Sequence, residues 1–124
     1  MSHAPLVRHD ALAPSVHPWG EVVFFASAEI GPVPSPMSLG RCTIHPGHAL
    51  PKHYHTDCTE VVHVLEGTIS HHVGDGEVVT LQAGDTVIVP PKFPHQARNL
   101  GQENAVLLIS FSAAHRDFIV VDDS

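Results

Sequence analysis

The sequence is poor in basic residues, with 6 against 13 acidic ones and a formal charge of −7. Those 6 are scattered, so there is no positive face to track a phosphate backbone, and nucleic acid is excluded as an expected partner. No apolar run approaches the length of a bilayer span, and no charged start leads into an apolar signal core. A membrane partner is therefore not expected, and the chain is read as cytoplasmic. The 2 cysteines, Cys42 and Cys58, lack CxxC spacing and are read as reduced thiols. Sustained helical periodicity is missing as well. At 124 residues the chain has too little material for two cores, and without an internal repeat a two-barrel protein is excluded.

What is present points to short strands. Hydrophobic residues make up 43% of the chain, and 11 Pro and 9 Gly punctuate it. Residues 1–18, with Pro5, Pro14 and Pro18, read as an N-terminal arm lying across the barrel or a partner subunit, and residues 19–124 as the barrel domain. Strands are expected over Glu21–Ile30, Met37–Ile44, Thr59–Leu65, Thr68–Val73, Glu77–Leu81, Thr86–Val89, His95–Asn99, Ala105–Phe111 and Phe118–Val121. Gly31-Pro32, His45-Pro46-Gly47, Gly74-Asp75-Gly76 and Ala83-Gly84-Asp85 separate them. The pattern predicts an all-β sandwich or barrel.

Histidine is the outlier, with 12 residues in a chain holding one Tyr and one Trp. His3, His9 and His17 fall in the arm and are set aside as solvated. The informative stretch runs from Gly47 through Lys52-His53-Tyr54-His55 to Glu60 and Gly67. Residues two apart on an extended chain share a face, so His53 and His55 can address one ion, and Glu60, past a turn, can return a carboxylate from the next strand. A second stretch, Gly84 to Asn99, adds His95.

These spacings resemble the cupin superfamily, whose motifs read G-x5-H-x-H-x4-E-x6-G and G-x5-P-x-G-x2-H-x3-N. Gly47, His53, His55, Glu60 and Gly67 complete the first, and Gly84, Pro90, His95 and Asn99 match the second. Lys92 stands where the family has glycine, at a turn needing a positive φ that lysine tolerates poorly. The resemblance implies a double-stranded β-helix, a jelly-roll of two antiparallel sheets, and a metal held by His53, His55, Glu60 and His95. It also raises the expectation of a homodimer, which would cover sheet edges and apolar outer faces.

Three imidazoles and one carboxylate leave two positions of an octahedral ion open, the pattern of a catalytic site. Nitrogen and oxygen donors suit a divalent transition metal, iron(II) first, with manganese, nickel, cobalt and zinc as alternatives. Val62, Val64, Phe93 and Ala97 share parity with the ligands and are expected to line an apolar substrate pocket. His63 has the opposite parity and is assigned to the far face, His48 to a turn. Of the adjacent His71 and His72, one faces in.

No other acid or base stands on the ligand face within the motifs, so Glu60 is the candidate catalytic residue, a role it takes as a proton acceptor in related oxygenases. The leading expectation, by resemblance to quercetinase-type cupins, is a dioxygenase acting on a small organic substrate with a chelating hydroxy or keto group. The alternatives are lyase, isomerase or cyclase chemistry without O2, and a non-catalytic small-molecule binding module.

Overall fold

A computed structural model describes residues 4–31 and 33–121. His3, Pro32 of the first breaker and the last three residues of the barrel range lie outside them. Eleven strands run through the described residues: β1 (Ser15–His17), β2 (Gly20–Ala26), β3 (Ser38–Ile44), β4 (His53–Tyr54), β5 (Glu60–Glu66), β6 (Thr68–Gly74), β7 (Glu77–Gln82), β8 (Thr86–Val89), β9 (Arg98–Asn99), β10 (Ala105–Phe111) and β11 (Ile119–Val120). The helical content among them is a 3-10 turn at His9–Ala11. No helix there is long and apolar enough to cross a membrane.

Six strands form one sheet in the order β1-β2-β3-β10-β5-β8. On the other side, β7-β6-β9 and β11-β4 are joined by the bridges Ala49↔Arg98 and His53↔His95, and every pairing is antiparallel. This is the expected two-sheet double-stranded β-helix.

The period of two decides what faces inward. In β10, Ala105, Leu107, Ile109 and Phe111 are buried while the residues between them are half-exposed. β3 and β5 alternate likewise, and with Ile69 of β6 they build one apolar cluster. Val64 and Ile69 are fully enclosed, each such side chain contributing roughly 1.5–3 kcal/mol of burial. Polar residues enter the inward rows at Glu60 of β5 and His71 of β6.

Several segments depart from expectation, among them β4, which lies between the expected strands, and β11, which is shorter than the range Phe118–Val121. The strand read as Glu21–Ile30 ends at Ala26, because a bulge between Phe24 and Ala26 breaks its register with β3. Strands begin before Trp19: β1, inside the segment read as an arm, pairs with β2 at Ser15↔Val22 and forms an edge of the large sheet. The strand read as His95–Asn99 keeps regular pairing at Arg98 and Asn99. Gly67, at the β5–β6 turn, has a φ of 90°, and a Cβ there would stand 3.0 Å from the Ala105 Cα, so both conformation and close approach require glycine.

Candidate metal centre

His53 lies on β4, and His55 follows two residues later on the same side of the chain. His95 is drawn beside them by reciprocal backbone hydrogen bonds, His53 N–H to His95 O at 3.0 Å and His95 N–H to His53 O at 2.9 Å. Glu60 opens β5 in the opposite sheet. One possible ligand atom from each of the four lies within 4.8 Å of the others, and all four residues are buried. The structure thus brings together the four residues whose spacing singled them out, three from the small sheet side and one from the large.

Each imidazole is oriented by the backbone. The Nδ1–H of His53 donates to the Pro51 carbonyl at 2.7 Å, that of His55 to the Asp117 carbonyl at 2.6 Å, and that of His95 to the Phe93 carbonyl at 2.9 Å. A donor at Nδ1 leaves Nε2 as the ligating atom. Nε2 of His95 is 3.0 Å from Glu60 Oε1, while Nε2 of His55 is 3.3 Å from the same oxygen, outside hydrogen-bond geometry, and so stays buried without a partner. Burial would raise the Glu60 carboxyl, but the His55 and His95 imidazoles beside it hold it down at about 2. Burial, helped by the neighbouring His95, lowers His53 to about 4, so this ring is neutral near pH 7. Three convergent imidazole nitrogens, an ionised carboxylate and an orphaned buried Nε2 fit a divalent ion of the first transition row.

The centre lies in the wall of a cavity of about 340 Å³. Val62 and Ala97 line it, as parity predicts. Val64 and Phe93 do not, which corrects the expectation for both. Val64 is two residues further along β5 and enclosed in the core, since parity specifies a face but not a depth. Phe93 follows Lys92, whose φ of 67° breaks the extended alternation, and it serves the site through its carbonyl. Lys92 therefore adopts the conformation the glycine position demands.

Among the remaining histidines, His71 faces the cavity and stacks on His95 at 5.5 Å, with its Nδ1–H donating to the His72 carbonyl. His72 is half-buried in the next position, His63 pairs with the Thr86 hydroxyl on the outer side of β5, and His48 occupies an exposed turn. His17, set aside as solvated, is exposed, though it also lines the cavity and stacks on Trp19 at 4.8 Å. Phe111, Arg116 and Phe118, which also line the cavity, are among the wall residues that sequence reasoning missed. For Phe111 the signal was present in its inward parity on β10. Arg116 and Phe118 lie in or beside a turn where no period operates.

A model of the cupin domain matches residues 40–111. The chain belongs to the cupin family. A germin-like protein of Morus alba is 31% identical over 90 residues, covering 69% of this chain and 43% of the relative. The polyketide synthase CurC of Streptomyces cyaneus is 32% identical over 74 residues, 60% of this chain and 47% of the relative. This cupin therefore spans less than half the length of these curated relatives. Among solved structures, the oxalate decarboxylase of Bacillus subtilis, studied for its Mn(II) centres, superimposes with a TM-score of 0.74 at 26% identity, over 87% of this chain and 29% of that one.

Proposed function

We propose that this cupin is a metal-dependent dioxygenase whose substrate is a small organic molecule presenting a chelating hydroxy or keto oxygen pair. The observation that supports this most directly is the placement of four buried candidate ligands on the wall of a mostly apolar cavity, with no cysteine and no fifth residue in the cluster among the described residues. When bound, a divalent ion, iron(II) being our first assignment, supplies Lewis acidity and one-electron chemistry.

The chain's own residues do the rest. His53, His55 and His95, each fixed through Nδ1, hold their Nε2 atoms in place before anything binds, which lowers the reorganisation needed at the centre. Glu60 supplies the charge that balances the ion and is proposed as the acceptor of the substrate's hydroxyl proton. Val62, Ala97 and Phe111 exclude water around the substrate's body.

The test is oxygen uptake by the iron(II)-loaded protein against a panel of hydroxyketones, enols and diketones. Stoichiometric O2 consumption that is lost in Glu60→Gln, with substrate affinity retained, supports the reading. Turnover under anaerobic conditions instead favours the second reading, a lyase or isomerase, for which the likeness to a Mn(II) decarboxylase speaks.

A further inference from the structure

Arg116 is a cavity residue that the metal centre does not account for. It follows β10 in the turn leading to β11, and its guanidinium carbon stands 4.3 Å from the Phe24 ring centroid and 4.7 Å from that of Phe111. Its Nε is enclosed and has no hydrogen-bond partner. Among the described residues the ion pairs are His55–Glu60, His95–Glu60 and His115–Glu29, so no carboxylate forms an ion pair with this guanidinium, and Glu60 and Glu29 act on its charge only from a greater distance. The Phe111 ring is also 5.2 Å, edge-on, from the His55 ring. One phenyl ring thus separates a fixed positive charge from a metal-ligand imidazole.

A guanidinium held against two aromatic faces is oriented by them, but those contacts do not satisfy its N–H donors. In a wall that also holds Trp19, Val22, Leu107 and Ile109, a half-buried guanidinium whose Nε is enclosed without a partner is costly, and an incoming carboxylate would both offset its charge and accept from it in fork geometry. We infer that Arg116 anchors a carboxylate of the substrate, at the opposite end from the oxygen pair that faces His53, His55, Glu60 and His95. The substrate class is accordingly an organic acid whose chelating oxygens and carboxylate are separated by a body about as long as an aromatic ring. This rests on the oxygen-chelating function proposed above. A purely structural Arg116, bracing Phe24 and Phe111, would affect stability but not discriminate between ligands by charge.

The probes are 3,4-dihydroxybenzoate and its methyl ester, which share the chelating pair and differ in the charge of the remote group. Each is titrated into the cobalt(II)-loaded protein, read by the visible cobalt bands and by calorimetry. The wild type is expected to bind the acid about 10- to 100-fold more tightly than the ester, as for a hydrogen bond to a charged group. Arg116→Gln should abolish that preference while leaving the cobalt spectrum and ester affinity unchanged, and Arg116→Lys should retain part of it. Equal affinities in the wild type, or an undiminished preference in Arg116→Gln, overturn the anchor and leave the chelating function intact. If neither compound perturbs the cobalt bands, the chelating function fails, and the anchor with it. The ester comparison needs only wild-type protein, so it stands even where a variant does not fold.

Discussion

The two motif segments, 47–67 and 84–99, and the C-terminal segment 112–121 contribute to the same site in different ways. The motifs supply all four candidate ligand atoms. The C-terminal segment supplies none, yet the Asp117 carbonyl orients His55, Phe118 stacks on the His53 ring at 4.0 Å, and Arg116 contributes a guanidinium to the cavity wall. Ligation needs particular side chains at fixed spacing and so leaves a signature. Orientation through a backbone carbonyl can be performed by almost any residue, and leaves none.

Removing a motif ligand should produce the largest effect. His95→Ala deletes one of four donors and is expected to weaken cobalt(II) or zinc(II) affinity on the order of 1,000-fold, measured by competition with a chromophoric chelator. The fold should survive, because the reciprocal backbone bonds between residues 53 and 95 do not need the ring. Retention of wild-type affinity would show that the four residues are scaffold and that the motif side of the comparison is mistaken.

Two histidines of one motif separate the segments by pH. His53, tied to Pro51 within its own segment, is lowered by burial from 6.5 to about 4. For His55, tied to Asp117, burial also lowers the ring, but Glu60 and the Asp117 carbonyl outweigh it and the shift is upward. Between pH 6.5 and 4 the unfolded chain protonates His53 while the native chain does not, so the stability that His53 contributes falls as pH drops. His55 acts in the opposite sense, its contribution being present below pH 6.5 and fading as pH rises through its native pKa. In metal-free protein, the stability of wild type relative to His53→Gln should shrink by about 3 kcal/mol from pH 7.5 to pH 4, followed by urea denaturation. A difference that stays constant would mean that His53 is not buried neutral.

A weaker effect is expected on the C-terminal side. The Asp117 carboxylate accepts from the Thr56 N–H at 2.8 Å and from the Thr56 hydroxyl, clamping the turn that presents the Asp117 carbonyl to His55. Asp117→Ala leaves every ligand in place and should still reduce metal affinity about 10-fold, the range seen when an orienting partner is lost. Unchanged affinity would assign the positioning to the strand pairing Ile119↔Tyr54 and Val120↔His53 alone.

This difference also explains what could be read from the sequence. β8 and β10 match their expected ranges to the residue, because Val87, Ile88 and the Ala105–Phe111 alternation lie between clear breakers. The ligand set was legible because it depends on parity and spacing. Depth was not legible, which is why Val64 was placed in the cavity. Neither was the reach of a short edge strand such as β1, whose burial pattern is exposed throughout and carries no apolar alternation. Arg116 lay beyond reach for a third reason: its neighbours Phe24 and Phe111 are brought together only by the pairing of β2 and β10 with β3.

The smallest effect is expected at the one motif position where this chain departs from its family. Lys92 has a φ of 67°, the only positive value among described non-glycine residues, and its N–H donates to the His55 carbonyl at 2.6 Å. The left-handed conformation costs a residue with a Cβ roughly 1–2 kcal/mol, whereas glycine adopts it freely but loses about 0.5–1 kcal/mol of chain entropy on folding. The balance favours Lys92→Gly by about 0.5 kcal/mol, which for a domain of this size is a rise in Tm of about 2 °C. Lys92→Ala carries the same Cβ and should leave Tm unchanged, and Lys92→Val, branched at that carbon, should lower it. Metal affinity should be equal across the series, since the bond to His55 uses the backbone alone. A fall in Tm for Lys92→Gly would mean that the ammonium group offsets the strain through a contact of its own, and the turn before His95 would then owe its shape to a side chain rather than to the backbone.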